Sequence, residues 1–148
     1  MEPAPREGTE MEGKITQVTL VVKDQAKSLA FYLDQVGFET KTDVALPGGH
    51  RWVSVGPKGQ ELELALFPIG GPVDPQQQAR AKDWAPARMP PIVVRVADCR
   101  KVYAELHGRG VPFFQPPADL PWGTAATFED PDGNLFSLVQ PPSYPKPG

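Results

Sequence analysis

Polar side chains that could bind a small molecule recur on one side of the predicted β-strands. Five of them share this side: Gln17, Thr19, Glu63, Arg95 and Ser137. The planar guanidinium of Arg95 is suited to anchoring an anionic or carbonyl-bearing ligand, because its N–H donors can bond two oxygens at once. The alternatives are an ion pair between Arg95 and Glu63, or exposure of Arg95 at the end of its strand.

Aromatic side chains near the same strands could stack on a planar ligand. They are Trp52, Phe113, Phe114 and Trp122. Packing in the hydrophobic core is the alternative for each of them. We place Trp52, Phe114 and Trp122 with the five polar residues in the predicted binding site.

The composition restricts the kinds of partner that the protein can have. A chain of 148 residues with 40% hydrophobic content is long enough for one compact domain. Its net charge of −3 disfavours nucleic acids and anionic membranes as partners. The single cysteine, Cys99, cannot form an internal disulfide, and no long apolar run predicts a membrane span or a signal peptide. We therefore expect a cytoplasmic protein.

Hydrophobic alternation and turn signals predict the same order of elements twice. Each half reads as a strand, a helix and three strands. Asp24 and Asp98 are the expected helix N-caps, and they lie 74 residues apart, as do Glu63 and Ser137. The predicted strands cover residues 15–22, 38–44, 51–55 and 61–67, then 92–96, 112–115, 124–129 and 134–140. The sequence therefore predicts two modules built from one repeated unit, over 14–67 and 92–140.

Three further segments lie outside these modules. Residues 1–13 are rich in Pro, Gly and Glu, residues 141–148 are rich in Pro, and we expect both segments to be disordered. The connection over 68–91 is too long for a bare linker, so we expect a lid or an arm that reaches across a dimer.

Alternation also assigns two faces to each predicted sheet. In each module the more continuously apolar face must cover the helix, and the opposite face mixes polar with apolar side chains. An open curved sheet with a few polar groups among apolar ones is typical of a ligand site. The alternative is a dimer interface or a sheet face that is partly in contact with water.

Three stretches of the chain resemble the vicinal oxygen chelate superfamily. They are QVTLVVKDQAKSLAFYLDQVGF, ELELALF and FEDPDGNLFSLVQ, and the resemblance covers about residues 14–140 as a single domain. That superfamily includes glyoxalase I, extradiol dioxygenases, fosfomycin-resistance transferases and bleomycin-binding proteins. The resemblance implies an α+β fold of two βαβββ modules, with a curled mixed sheet around a cleft and commonly in a homodimer.

The resemblance also implies where a divalent metal would bind. The four metal-binding positions of the family correspond to Gln17, Glu63, Pro91 and Ser137. Gln17 and Glu63 could ligate a metal weakly through oxygen, whereas Pro91 has no donor side chain and Ser137 is a poor neutral ligand. A catalytic metal site usually keeps three protein ligands, so we expect no tightly held metal.

Three functions remain open at this point. The first is a binding protein that holds a small organic molecule in the cleft, like the bleomycin-binding branch. The second is a metal-dependent lyase or dioxygenase of the glyoxalase type, with Glu63 as general base or as metal ligand beside Gln17. The third is a structural or regulatory dimer subunit whose sheet face packs against another chain.

Overall fold

The computed structural model describes residue 8 and residues 11–69 and 90–142. Within these ranges the chain forms two consecutive βαβββ modules. Module one contains β1 (Gln17–Val22), α1 (Gln25–Ala30), a π-helical continuation of α1 (Phe31–Val36), β2 (Glu39–Leu46), β3 (His50–Gly56) and β4 (Glu63–Pro68). Module two contains β5 (Ile92–Arg95), α2 (Cys99–Gly108), β6 (Phe113–Leu120), β7 (Gly123–Glu129) and β8 (Leu135–Gln140).

Each module arranges its four strands in one mixed sheet. The strand orders are β1-β4-β3-β2 and β5-β8-β7-β6, so the second sheet repeats the topology of the first. In both sheets the first strand pairs in parallel with the last, and the other neighbours pair antiparallel. A parallel pair requires a crossover connection, which the helix provides. The predicted α+β fold of two βαβββ modules is confirmed.

The two helices begin and end with the same local signals. The side chains of Asp24 and Asp98 each accept a hydrogen bond from the backbone N–H three residues further on, at 3.0 Å in both helices. Just beyond the helices, Gly37 and Gly110 adopt φ of 88° and 87°. This left-handed conformation carries no steric cost for glycine, so the chain can turn sharply into the next strand.

Strand β6 is longer than the sequence predicts. It does not end at Gln115 but continues through Pro116 and Pro117 to Leu120. Proline usually interrupts a strand because it has no N–H for the ladder. However, β6 is an edge strand, and its register shifts between Gln115 and Ala118. The prolines are tolerated because the regular pairing is already interrupted there.

Both modules contribute to one hydrophobic core. The buried members include Leu20, Val22, Leu64, Leu66, Phe136 and Leu138, which alternation places on the helix-facing sides of the sheets. Because the helix-facing sides of both sheets meet in this core, the opposite faces point away from it. We call these the Glu63 face, in module one, and the Ser137 face, in module two. The sequence predicts one sheet curled around a cleft, but within the chain the two sheets stay separate.

A buried hydrogen-bond cluster joins the modules. Tyr32 donates from its hydroxyl to Asp130 Oδ2 at 2.7 Å, and Asn134 Nδ2 donates to the same oxygen at 2.9 Å. Asn134 Nδ2 also donates to the carbonyl oxygen of Val21 at 3.2 Å. All three side chains in the cluster are buried. A buried acceptor that loses its donor costs about 1–3 kcal/mol, so this cluster holds the 130–134 turn firmly on module one.

Some expectations fall largely outside the described residues. These are the disorder expected for 1–13 and 141–148, and the lid or dimer arm expected for 68–91. Of the helices that the structure describes, neither has the length and apolar character that a bilayer crossing requires.

Replacing Tyr32 by Phe should lower the free energy of unfolding by about 1–3 kcal/mol, because Asp130 loses a buried donor. Burial, followed by the charge of Asp130, raises the pKa of Tyr32 well above its ordinary value. The unfolded chain ionises this phenol near pH 10 and the folded protein does not, so stability should fall as pH rises above about 10. Urea unfolding of the wild type and of Tyr32→Phe between pH 8 and about pH 11 measures both effects.

The Tyr32→Phe variant should lose less stability than the wild type as pH rises above about 10, because it has no phenol to ionise at this position. The control Tyr103→Phe lies outside the cluster and should lose stability with pH as the wild type does. If the free energy of unfolding falls equally with pH above about pH 10 in the wild type and in Tyr32→Phe, then Tyr32 ionises freely in the folded protein.

Candidate functional site

Glu63 is the first residue of β4 and lies next to Gln17 of β1 in the parallel register. Its Oε1 accepts hydrogen bonds from Thr42 Oγ1, at 2.6 Å, and from Ser54 Oγ. No residue in the described part of the chain donates to Oε2. One carboxylate oxygen is therefore held by the protein, and the other is available to a bound molecule.

The two hydroxyl groups favour the ionised form of Glu63. The hydrogen bond from Ser54, followed by that from Thr42, lowers the pKa of Glu63, and partial desolvation opposes them. A general base that works near neutral pH needs a carboxyl pKa raised toward neutrality. Glu63 is shifted in the opposite direction. Its carboxylate is better suited to accepting a hydrogen bond or pairing with a cation than to removing a proton.

The surface around Glu63 combines apolar and polar side chains. Trp52 on β3 pairs with Val44 on β2, which is 50% exposed. Thr19 pairs with Ala65 in the next row of the parallel ladder after Gln17 and Glu63. A molecule that contacts Glu63 would therefore meet apolar side chains together with hydroxyl and amide groups. This combination suits an organic ligand with a small number of polar groups.

The other predicted polar residues belong to module two. Ser137 on β8 pairs with Val93 on β5 and with Thr127 on β7. Arg95 is the last residue of β5 and is exposed. Among the described residues, no hydrogen bond or ion pair connects Glu63 with Arg95 or Ser137. Within one chain, the predicted site residues therefore lie on two separate sheet faces.

The predicted aromatic residues differ in their surroundings. Phe114 is 70% exposed on the edge strand β6, and Trp122 is 62% exposed in the turn before β7. Phe113 packs against the core, with its ring centroid 5.8 Å from that of Phe128. Trp52 is the one predicted site aromatic that lies in module one, on the Glu63 face.

Thr42 and Ser54 were not among the residues predicted to form the site. The sequence does indicate Ser54, since it is a polar residue between the apolar Val53 and Val55 and alternation places it on the face opposite the core. No pattern in the sequence indicates Thr42. The register of β2 against β3 shifts between Thr40 and Thr42, and this shift decides which face Thr42 occupies.

The donors at the four metal-binding positions of the family do not fit a metal held by three or more protein ligands. Gln17 and Glu63 adjoin on one face, but Glu63 Oε1 is already bonded to two hydroxyls. Ser137 lies on the other face, and Pro91 has no donor side chain. Across the described residues, no three His, Cys, Asp or Glu side chains are grouped so that they could hold a metal ion.

The titration midpoint of Glu63 should lie below the value of about 4.3 that is usual for glutamate. Ser54→Ala should raise this midpoint, because it removes the hydroxyl with the largest effect, and Thr42→Val should raise it less. Carboxyl ¹³C NMR titration measures the shift directly. Because the folded pKa is lower than the unfolded one, stabilisation by Glu63 is present above about pH 4 and is lost as pH falls through the folded pKa.

The matched control is Thr19→Val, on the same face but without a hydrogen bond to Glu63. It should leave the midpoint of Glu63 unchanged. An unchanged midpoint in Ser54→Ala would show that the hydroxyls do not hold this carboxylate.

Comparison with known proteins agrees with this fold. Residues 14–138 match the model of the Glyoxalase/Bleomycin resistance protein/Dioxygenase superfamily. The uncharacterized protein YurT of Bacillus subtilis (strain 168) is 36% identical over 129 residues, which is 86% of this chain and 98% of YurT. The crystal structure of UcmS2 superposes with a TM-score of 0.76 at 37% identity, covering 87% of this chain and 98% of UcmS2.

A second solved structure adds a relative with a stated ligand class. TnmS3, an antibiotic binding protein from Streptomyces sp. CB03234, is 32% identical with a TM-score of 0.71, over 90% of this chain and 99% of TnmS3. The family match covers most of the chain, and its strand topology is the one that the structure shows. The chain therefore belongs to the glyoxalase/bleomycin resistance protein/dioxygenase superfamily.

Proposed function

We propose that this protein binds a small organic molecule on the Glu63 face, with Glu63 Oε2 accepting a hydrogen bond from the ligand. The observation that carries the proposal is the Glu63 carboxylate, held by the hydroxyls of Thr42 and Ser54 on a sheet face that also carries apolar side chains. A carboxylate covered by a ligand must receive a donor, because burying an unpaired charge is costly. The ligand is therefore a largely apolar molecule with a cationic or neutral N–H or O–H group.

The comparisons support an antibiotic or a similar natural product as the ligand. TnmS3 is an antibiotic binding protein, and it resembles this chain over almost the full length of both. The low pKa of Glu63 and the weak donor set at the metal positions favour binding over proton transfer or metal catalysis. The proposed role is sequestration of the molecule without a tightly held metal.

We further infer that a second copy of the chain closes the site. The Glu63 face and the Ser137 face both point away from the shared core, and each exposes an apolar residue, Val44 at 50% and Val93 at 62%. In a two-fold dimer, the Glu63 face of one copy could cover the Ser137 face of the other at two equivalent places. Arg95 and Ser137 of one copy would then approach Glu63 of the other, which unites the predicted site residues.

One observation favours a competing function. Gln17 and Glu63 are neighbours, so two oxygen donors are available for a weakly bound divalent metal. A metal-dependent lyase or dioxygenase would use this pair. If this competing function is correct, Zn²⁺, Ni²⁺, Mn²⁺ or Fe²⁺ should raise the melting temperature of the wild type but not that of Glu63→Gln. The binding proposal predicts no such metal effect.

Binding should be detectable in a panel of largely apolar, polycyclic antibiotics that carry an N–H or O–H donor. At least one compound should raise the melting temperature, because a ligand that binds only the folded state stabilises it. Glu63→Gln should weaken the affinity for that compound about tenfold or more, since a neutral amide replaces a charged acceptor. Isothermal titration calorimetry measures the change in Kd.

The matched control for this test is Asp119→Asn. It makes the same change from carboxylate to amide at an exposed position in module two, where Asp119 pairs with Arg100. The affinity should be the same as in the wild type. A ligand that binds Glu63→Gln as tightly as the wild type would contradict the role of Glu63.

Sedimentation equilibrium should show a dimer that Val93→Glu converts to a monomer. The substitution puts a charge at an exposed apolar position on the surface that the second copy would cover, and ligand affinity should fall with the loss of the dimer. The control Lys101→Glu changes charge on the exposed side of α2 and should remain dimeric. A wild-type monomer with full ligand affinity would rule out closure by a second copy.

A further inference from the structure

The contact between the two modules is not symmetric. Tyr32 lies against the 130–134 turn of module two. Leu106 follows Tyr32 by 74 residues, the same spacing that separates the helix caps, so Leu106 occupies the corresponding place on α2. The β3–β4 connection, over residues 57–62, corresponds to the 130–134 turn. Leu106 has neither a ring nor a hydroxyl, so it cannot form the counterpart of the Tyr32 contact.

A groove lies between Leu106 and the β3–β4 connection, where the counterpart of the Tyr32 contact would be. Two cavities of about 240 and 380 Å³ both have Phe38, Pro57 and Val94 among their lining residues, and Leu106 lines the smaller one. Phe38 also stacks on Tyr32, with 6.0 Å between ring centroids, so it separates the groove from the buried cluster. Further apolar walls come from Val96, Val102, Phe128, Leu138, Ile92 and Phe136. The groove is large enough for a bicyclic aromatic molecule, since ligand sites begin at about 300 Å³.

The polar residues along the groove are mainly cationic. Lys58, Arg109 and Glu105 line the smaller cavity, and Arg95 and Gln60 line the larger one. Three cations therefore face one carboxylate among the described lining residues. An apolar groove with an excess of positive charge is complementary to an apolar molecule that carries a negative charge.

We propose that this inter-module groove binds a small aromatic carboxylate. The ring of the ligand lies among the apolar walls of the groove, at the place that the ring of Tyr32 occupies in the other module contact. Its carboxylate meets Lys58 and Arg109, which line the same cavity. The groove is separate from the proposed site on the Glu63 face, since neither Glu63 nor its partners Thr42 and Ser54 line it. Arg95 borders both the groove and the Ser137 face.

The test uses 2-naphthoate and its uncharged amide, 2-naphthamide, with the full chain in isothermal titration calorimetry. One naphthoate should bind per chain, the amide should bind at least tenfold more weakly, and added salt should weaken naphthoate binding. Lys58→Gln should weaken naphthoate at least threefold. The control Arg100→Gln removes an exposed cation that pairs with Asp119 away from the groove, and it should have no effect.

Leu106→Tyr provides the most direct variant. It introduces into the groove a ring at the position that corresponds to Tyr32, and it should abolish naphthoate binding while circular dichroism shows a folded protein. If Leu106→Tyr does not fold, Val102→Phe fills the same cavity from the neighbouring turn of α2 and should have the same effect.

Glu63→Gln should leave naphthoate binding unchanged, so failure of this proposal is distinguishable from failure of the proposed function. Three results would overturn the groove as the site. The first is that naphthoate does not bind. The second is that the amide binds as tightly as naphthoate and Lys58→Gln has no effect on naphthoate binding. The third is that Glu63→Gln abolishes naphthoate binding while a folded groove-filling variant retains it.

Discussion

The buried carboxylate of Asp130 determines how the two modules lie against each other. It accepts hydrogen bonds from the backbone N–H groups of Asp132 and Asn134 and from the side chains of Asn134 and Tyr32. The same turn is bonded to the end of β1, where the backbone N–H of Lys23 donates to Asp132 Oδ1 at 2.9 Å. A buried carboxylate is stable only when its acceptor sites are filled, so the turn, the π-helical continuation of α1 and the end of β1 must stay together for the cluster to be satisfied. With the modules held in this way, the helix-facing sides of both sheets share one core and the other two faces stay open.

The same cluster explains why the internal repeat does not produce two equal halves. Gln35 and Arg109, 74 residues apart, still exchange hydrogen bonds across the approximate two-fold axis, from Gln35 Nε2 to the carbonyl of Arg109 and from Arg109 Nε to the carbonyl of Gln35. The symmetry is broken where Leu106 occupies the position that corresponds to Tyr32. One side of the module interface is therefore filled by an aromatic hydrogen-bond donor, and the other side keeps an open apolar groove.

The Glu63 face shows how the same fold can support different functions. The fold supplies the position on β4, and the side chains around it decide its chemistry. Here two hydroxyls from neighbouring strands hold one oxygen of Glu63, and Pro91 stands at a position that the family resemblance assigns to a metal ligand. These two departures support the proposed change from catalysis to binding. Because the hydroxyls are on paired strands, the ladder itself positions the carboxylate before any ligand arrives.

Local signals in the sequence were sufficient to predict the element order, the repeat and the helix caps. Asp24, Asp98 and Gly37 act within a few residues of where they stand, and alternation assigns each strand to a face without knowledge of its partner. Only the tertiary structure decided that Thr42 reaches Glu63, that Tyr32 meets Asp130, and that the open faces point away from each other. These features depend on a register shift and on contacts between residues as many as 113 positions apart, from Val21 to Asn134. Such long-range pairings leave no periodic pattern in the chain, because they arise only when complete modules pack together.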